Sequence, residues 1–120
     1  MYHRLPQRQD MKKYQLGEFE EVVLLTVGIL DGDAYGVTIK DEIEARLKRE
    51  VSVGALQVTL RRLESKGHLK SKPGGTEKNR GGRPKLYFIL TASGKRALLH
   101  TRNTRDELWS ALPQLTFKLE

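Results

Sequence analysis

The sequence predicts a mainly helical fold that contains one small β-hairpin and ends in a long helix. Four segments place apolar residues at intervals of three and four positions, which is typical of amphipathic helices. A glycine-rich stretch separates two segments rich in strand-forming residues, which predicts a hairpin. At 120 residues the chain has the length of one domain with its own hydrophobic core.

The first helix is predicted over about residues 16–30, and the turn-forming stretch DGDAYG ends it. Its apolar stripe comprises Leu16, Phe19, Val23, Val27 and Leu30, widened by Val22, Leu25 and Ile29. Because the stripe is so broad, we expect other elements to cover this helix on several sides. A second helix is predicted over about residues 35–49, where the residues that recur every fourth position are Tyr35, Ile39, Ile43 and Leu47.

The third helix is predicted over SVGALQVTLRRLESKG, residues 52–67, with Ser52 as its N-cap and Gly67 as a left-handed C-cap. Leu56, Leu60 and Leu63 form its apolar face. The residues that point away from this face, directly or at its flanks, are Gly54, Gln57, Val58, Arg61, Arg62, Ser65 and Lys66. An ordinary solvated face accounts for the arginines but not for the valine exposed among them.

Two strands are predicted next, HLKSK, which ends at Pro73, and KLYFILT. The connection PGGTEKNRGGRP has four glycines, two prolines and no aliphatic residue, which predicts a long, mobile tip. A last helix is predicted from a Thr91 cap to just before Pro113. For the tail QLTFKLE, three alternatives stay open: a further strand, packing on a partner, or fraying.

Positive charge is concentrated in the middle of the chain. The formal net charge is +7, and residues 51–90 alone carry nine Lys or Arg against two acids. Residues 1–50 carry eight against ten, and residues 91–120 carry five against three. Such a local surplus usually faces a polyanion, either nucleic acid or an anionic membrane, although a merely soluble basic surface is the plain alternative.

Other function classes find little support. The chain has no cysteine, which excludes disulfides, thiol catalysis and thiolate metal sites. His3, His68 and His100 are scattered and expected at the surface, and we find no catalytic constellation or phosphate-binding loop. No apolar run is long enough for a membrane span, and the basic first residues lack the apolar middle of a signal peptide. We therefore expect a cytosolic protein without enzymatic activity, metal or cofactor. Its residues 1–14 are expected to form a flexible arm, and its natural start is Met1 or Met11.

Three helices followed by a hairpin is the order of a winged helix-turn-helix domain, whose third helix can lie in the major groove of double-stranded DNA. Arginine can pair with guanine, glutamine with adenine, and valine can contact a thymine methyl group. Arg61, Gln57 and Val58 therefore offer suitable chemistry for reading bases. The residues of this helix predicted to bind DNA are Ser52, Gly54, Gln57, Val58, Arg61, Arg62 and Lys66. The rival function is a winged helix used only for protein docking, which does not need the basic surplus.

The wing of such a domain would be the hairpin, whose basic residues include Arg80, Arg83 and Lys85. Glycine beside arginine allows the backbone to approach a phosphate, and arginine suits a narrow minor groove. The stretch GRPK is also similar to a minor-groove AT-hook, and a solvated charged loop is the alternative.

Three blocks, LLTVGILDGDAYGVTIKDEIE, VSVGALQVTLRRLESKGHL and GGRPKLYFILTASGKRAL, together resemble the PadR family of transcriptional regulators over about residues 16–99. The resemblance implies a winged-helix dimer that usually represses transcription, often of genes for handling toxic small molecules. The residues that match the family pattern are Ser52, Gly54, Arg62, Leu63, Glu64, Gly81, Gly82, Arg83, Lys85 and Tyr87. Many members have tyrosine where Gln57 stands, so no known operator sequence transfers to this chain.

The resemblance also implies dimerisation, mainly through the C-terminal helix with help from the N-terminal helix. A single C-terminal helix, as predicted here, is typical of the shorter branch of the family. The residues expected at this interface are Leu98, Leu108, Trp109 and Leu112, and packing within one chain is the alternative. Some relatives bind flat aromatic compounds between these helices, so Trp109 either stacks on a small aromatic effector or belongs to the dimer core. The predicted division is a DNA-binding domain at residues 15–91, a dimerisation helix at 92–112 and a tail at 113–120.

Overall fold

The computed structural model describes residues 12–74 and 85–118, and within them the predicted order of elements is confirmed. After a helical stretch at residues 12–14 come the helices α1 (Glu18–Leu30), α2 (Gly36–Leu47) and α3 (Val53–Ser65). Strands β1 (Leu69–Pro73) and β2 (Leu86–Leu90) then form an antiparallel pair that joins Leu69 to Leu90 and Pro73 to Leu86. Helix α4 (Ala92–Ala111) follows.

Helices α1 and α2 are shorter than the sequence predicts because the chain leaves the helical conformation at their ends. Gly17 is the N-cap of α1, and its N–H donates to the Glu20 carboxylate at 2.8 Å. Helix α2 begins after Tyr35, whose N–H donates to the Thr38 hydroxyl at 3.0 Å. It ends at Leu47, and its C-cap Lys48 leaves the helix in a left-handed conformation with a φ of 55°.

Both predicted caps of α3 are confirmed. The Ser52 hydroxyl accepts a hydrogen bond from the Ala55 N–H at 3.2 Å. At the other end Gly67 has a φ of 82°, and the N–H groups of Gly67 and His68 donate to the carbonyls of Glu64 and Leu63 at 2.9 Å each. This is the hydrogen-bond pattern of a Schellman motif, so α3 has a sharp start and a sharp end.

The core lies between α1, α2, α3 and the hairpin. Its buried members are Val23, Leu24, Val27, Ala34, Ile39, Ile43, Val51, Leu56, Leu60, Leu63, Leu69 and Phe88. Helix α1 contacts α2, α3, β2 and α4, as its broad apolar stripe predicts. However, Leu25 and Ile29 remain 47% and 49% exposed, so the described part of one chain leaves this side of α1 uncovered.

The hairpin is fastened to the helices at its second strand. The Phe88 N–H donates to the carbonyl of Ala34, in the α1–α2 connection, at 2.8 Å. Thr91 caps α4 as predicted, since its hydroxyl oxygen accepts from the Gly94 N–H at 3.0 Å and donates to the Gly67 carbonyl at 2.6 Å. These bonds fix the hairpin and the start of α4 relative to the end of α3.

The expectation that His68 lies at the surface is wrong, because this side chain is completely buried. Its Nε2 lies 3.0 Å from the carbonyl oxygen of Lys13, and its Nδ1 lies 2.9 Å from the Ser93 hydroxyl. The ring also stacks on Tyr14 with 6.2 Å between centroids. Two hydrogen bonds satisfy the imidazole, so it can be buried. Of the predicted flexible arm, residues 12–14 are helical and contact His68 through Lys13 and Tyr14, and residues 1–11, with His3, lie outside the described residues.

Candidate nucleic-acid interface

Helix α3 turns one face into the core and the other to solvent. Leu56, Leu60 and Leu63 are at most 1% exposed, as their spacing predicts. The opposite face carries the exposed residues Gly54, Gln57, Val58, Arg61, Arg62 and Ser65. Val58 is 51% exposed, so a branched apolar side chain does stand among the arginines.

Two arginines add positive charge to this face. Within residues 12–74 and 85–118, no salt bridge involves Arg61 or Arg62. Arg49, by contrast, pairs with Glu18 at 3.1 Å. The amide of Gln57 lies beside Gly36, the first residue of α2, where an added Cβ would be 3.6 Å from its Nε2. The exposed face therefore presents one amide, one apolar group and two guanidinium groups that form no salt bridge within the described ranges.

Two residues predicted for this interface make contacts within their own chain. The Ser52 hydroxyl is engaged in capping α3. Lys66, directly after α3, donates from Nζ to the Glu20 carboxylate of α1 at 2.8 Å. Lys66 is therefore held at the end of α3 by an intramolecular ion pair rather than extended with Arg61 into solvent.

The Glu20 carboxyl is ionised in this pair although it is buried. Burial, the largest single influence, raises its pKa. Hydrogen bonds from Lys66 and from the Gly17 N–H act in the opposite direction, as do the charges of Lys66 and Arg62. The pKa of Glu20 consequently lies below its ordinary value, which strengthens the link between α1 and the end of α3.

At the base of the hairpin, Lys85 lies beside the start of α2. Its Nζ is 4.5 Å from the centroid of the Tyr35 ring and 3.5 Å from the Tyr35 hydroxyl. Tyr87 meets the same ring edge-on, with 5.2 Å between centroids. The Ser71 hydroxyl of β1 donates to the Glu64 carboxylate of α3 at 2.5 Å. The predicted wing residues Arg80 and Arg83 lie outside the described residues, as does the predicted mobile tip.

Three exposed residues that the sequence analysis does not predict are further candidates for this interface. Lys70 and Lys72 are exposed on β1 and extend the basic region. Their spacing of two in HLKSK was the signal, because alternate residues of a strand share one face. Val53, the first residue of α3, is 59% exposed. Periodicity assigns Val53 to the leucine face, so no sequence signal marks its exposure.

The residues predicted for dimerisation fall into two groups along α4. Leu98 is partly buried against the core of its own chain, which agrees with the alternative that the C-terminal helix packs within one chain. Leu108, Trp109 and Leu112 are 67%, 63% and 40% exposed. All residues from 102 to 112 are exposed, so this half of α4 extends beyond the part of the core that the structure describes.

The described part of the tail folds back toward α4. Residues 114–117 form a turn, in which the Thr116 N–H donates to the Pro113 carbonyl at 3.0 Å. The Phe117 ring stacks on Trp109 with 5.5 Å between centroids and 28° between planes. Among the described residues, Trp109 therefore has one aromatic neighbour.

The amino-acid sequence matches the model of the transcriptional regulator PadR-like family over residues 24–100. Among curated proteins no significant match was found. Regulators of this family bind DNA and are in general not enzymes. Among the described helices, none has the length and apolar composition needed to cross a membrane.

Solved structures, among them two of PadR family regulators, share the fold. A PadR family transcription regulator from Clostridium difficile is 28% identical with a TM-score of 0.58, over 74% of this chain and 91% of that one. A PadR family regulator from Eggerthella lenta is 26% identical with a TM-score of 0.62, over 85% and 88%. A complex structure of RosR from H. salinarum is 24% identical with a TM-score of 0.67, over 86% and 83%, and shows likeness of fold alone. These similarities confirm the predicted winged-helix fold.

Proposed function

The chain belongs to the PadR-like family of transcriptional regulators, and on this premise we propose that it is a repressor that binds operator DNA as a homodimer. The observation that carries the proposal is the solvent face of α3. Gln57, Val58 and Arg61 are exposed together there, and Arg61 has no ion pair within the described residues. A face with reading chemistry and unpaired positive charge fits a polyanion better than a protein surface of mixed charge.

In this proposal α3 enters the major groove, and its side chains read base edges. Arg61 pairs with guanine through its two parallel donors, and Gln57 pairs with adenine. Val58 contacts a thymine methyl group, which accounts for an apolar side chain on a wet surface. Gly54 leaves room for the backbone to approach the duplex, and Arg62 contacts the phosphate backbone beside the groove.

The wing contributes phosphate and minor-groove contacts. Lys85, at its base, lies near the start of α2, and the exposed Lys70 and Lys72 continue the basic surface along β1. Arg80 and Arg83 are proposed to reach the flanking backbone or a narrow minor groove. These contacts supply affinity and orientation, whereas the α3 contacts supply specificity.

Dimerisation is proposed to bury the exposed half of α4. Residues 102–111 extend over about 15 Å of helix, and Leu108, Trp109 and the C-cap Leu112 are exposed there. Exposed apolar groups on α1, Leu25 and Ile29, offer a second surface for the same partner. A symmetric pair would set two α3 helices about 34–36 Å apart, the distance between successive major grooves on one side of DNA.

Release from DNA is proposed to follow binding of a small aromatic effector at Trp109. The indole is 63% exposed and lies beside the leucines of the proposed interface. A flat compound stacked there would favour a different angle between the two winged domains and so a different spacing of the α3 helices. We assign residues 15–91 to the DNA-binding domain, 92–112 to the dimerisation helix, 113–120 to the tail and 1–14 to the arm.

The proposal is tested by DNA binding as a function of salt. A duplex recovered from a random-sequence pool with the full chain serves as the specific probe, and a mixed-sequence duplex as its control. If the dimer neutralises about 6–10 phosphates, affinity should fall about 10³–10⁵-fold between 50 and 200 mM salt. Recovery of no preferred sequence, with weak binding that barely depends on salt, would favour the protein-docking function instead.

A further inference from the structure

We infer that Glu20 positions the recognition helix α3, and that Lys66 serves this positioning rather than contacting phosphate. The inference rests on the proposed binding of α3 to DNA. It changes the role that the sequence predicts for Lys66, and it gives a role to a buried carboxylate that the sequence does not single out.

The ion pair between these residues joins the end of α3 to the first turn of α1. Lys66 Nζ lies 2.8 Å from Glu20 Oε2, and the two side chains are 32% and 9% exposed. The other oxygen, Glu20 Oε1, accepts from the Gly17 N–H at 2.8 Å. Because the carboxylate is held at both oxygens, it provides a fixed anchor for Lys66. A lysine held in this way is poorly placed to reach a phosphate.

Carboxylates also hold the chain just before α3. Arg49 pairs with Glu18 at 3.1 Å, and its guanidinium lies 5.5 Å from the centroid of the Phe19 ring. The Val51 N–H donates to the Glu44 carboxylate of α2 at 2.8 Å. Ion pairs with α1 therefore lie at both ends of α3, and the one at Glu20 is the more buried.

The neighbouring residue of α1 makes the corresponding contact to α4. Glu21 Oε1 lies 3.0 Å from Arg105 Nη2, close to the exposed half of α4. Adjacent glutamates thus hold the recognition helix and the proposed dimerisation helix. A shift of α4 that displaces α1 would move Glu20 and with it the end of α3.

The two roles of Lys66 predict opposite effects for Glu20→Gln. Removing a negative charge near a DNA-binding surface normally strengthens binding, and it would also free Lys66 to contact phosphate. If Glu20 positions α3, the same change loosens the helix and weakens binding. The control is Asp41→Asn, which removes one charge from an exposed position of α2.

The experiment measures binding of the full chain to the duplex recovered from the random pool, together with the circular dichroism of each variant at the assay temperature. We expect Glu20→Gln to lower affinity about five- to tenfold, which corresponds to about 1–1.4 kcal/mol, the range of one ordinary hydrogen bond. Its salt slope should equal that of the wild type, and Asp41→Asn should not lower affinity. Unchanged or tighter binding by Glu20→Gln would overturn the inference.

Lys66→Gln gives a second test in case Glu20→Gln is poorly folded. We expect weaker binding at an unchanged salt slope, whereas loss of a direct contact would reduce the slope by about 0.9 per phosphate. Lys66→Arg should retain affinity because it can keep the pair with Glu20. A reduced slope for Lys66→Gln would overturn the inference while leaving the proposed function intact. If the wild type itself selects no duplex, the proposed function fails instead.

Discussion

The carbonyl oxygen of His68 lies directly against the Cα of Gly94, where a Cβ would overlap it. Only glycine allows this approach of the α4 backbone to the segment between α3 and β1. The first turn of α4 is therefore packed against the segment that directly follows α3. The angle between α3 and α4, which a dimer would use to space its two α3 helices, depends on this contact.

Gly94→Ala should destabilise the fold by about 1–3 kcal/mol, because backbone atoms must move to admit the methyl group. Gly28→Ala is the matched control within α1. Its Cβ would lie 3.1 Å from Leu90 Cδ1, the end of a side chain that can rotate. Alanine gains up to about 1 kcal/mol of helix propensity there, so we expect no net loss. Urea unfolding measures both changes, and equal losses at the two positions would contradict the steric argument.

The buried His68 makes the fold sensitive to acid. Burial lowers the pKa of His68, and the charges of Lys66 and Lys13 act in the same direction. The hydrogen bond to the Lys13 carbonyl and the charge of Glu20 oppose them. Because the folded pKa lies below the unfolded one, the unfolded chain binds more protons between these values. The neutral imidazole thus contributes its full stability above the unfolded pKa, and this contribution declines as the pH falls toward the folded value.

We therefore expect the free energy of unfolding to decrease as the pH falls below about 6.5, the ordinary pKa of histidine. Urea unfolding of the wild type from about pH 8 to pH 5 measures this decrease. His68→Gln should remove it, although the variant is less stable at neutral pH because it loses the histidine packing. His100→Gln, which alters a partly buried histidine of α4, should retain it. A decrease of the same size in His68→Gln would assign the acid sensitivity to other groups.

Local sequence signals predict much of this fold. Ser52 and Thr91 cap their helices as expected, and the leucine face of α3 is buried, because each feature depends on residues within one or two turns. The contacts that the sequence does not reveal join distant residues. His68 lies 55 positions from Lys13, and Lys66 lies 46 positions from Glu20. Spacing along the chain carries no information about such partners.

The candidate interfaces also contain some features that local sequence signals predict and others that they do not. The exposure of Val58 and Arg61 follows from helical periodicity and is found as predicted. The packing of Leu98 on its own core could not be separated from that of Leu108, because both belong to the same stripe of α4. The position at which the core ends decides which turns of the α4 stripe are buried within the chain. That position depends on tertiary packing, which periodicity does not reveal.

Arg61→Ala should cost about 1–3 kcal/mol per half-site and relax the preference at one base position. Arg61→Lys should keep the charge but lose the planar pair of donors, so it should retain the salt slope and lose discrimination. Arg83→Ala, in contrast, should weaken binding to all sequences more evenly or alter the preference only for A·T-rich flanks.

Selection from a random-sequence pool, followed by anisotropy titration, measures these effects. Arg96→Ala is the control, since Arg96 is an exposed arginine in the first half of α4 whose Nε donates to the Tyr14 hydroxyl at 3.1 Å. Identical selected sequences for the wild type and Arg61→Ala would remove Arg61 from base reading.

Leu108→Asp should shift the proposed dimer toward monomers. Leu108 is 67% exposed in the single chain, so the fold of each monomer should survive the change. A symmetric dimer would lose two leucine contacts, which corresponds to a dissociation constant raised about a hundredfold or more. Leu99→Asp is the control, because Leu99 is 54% exposed on another side of α4. Sedimentation over a range of protein concentrations measures both, and an unaffected dimer in Leu108→Asp would exclude this face.

Phe117 occupies one face of the Trp109 ring and therefore competes with any flat effector that stacks there. Phe117→Ala should raise the affinity for such a compound by about two- to tenfold, the range expected from one aromatic pair. Trp109 is the only tryptophan of the chain, so quenching of its fluorescence by a set of fused-ring aromatic compounds reports on this site alone. An affinity that does not change in Phe117→Ala would mean that the ligand uses the other face or another site.

The same compounds should weaken DNA binding if Trp109 links effector and operator. Stacking can release DNA only when the effector binds more tightly to a dimer whose α3 helices are not about 34–36 Å apart. Coupling of about 1–3 kcal/mol, typical of such systems, would lower operator affinity roughly 5- to 150-fold at saturation. Trp109→Ala should abolish both ligand binding and the ligand-induced loss of DNA affinity. In Phe117→Ala, the same loss of DNA affinity should occur at a lower ligand concentration. If Trp109→Ala leaves ligand affinity and DNA release unchanged, Trp109 is a packing residue and the effector site lies elsewhere.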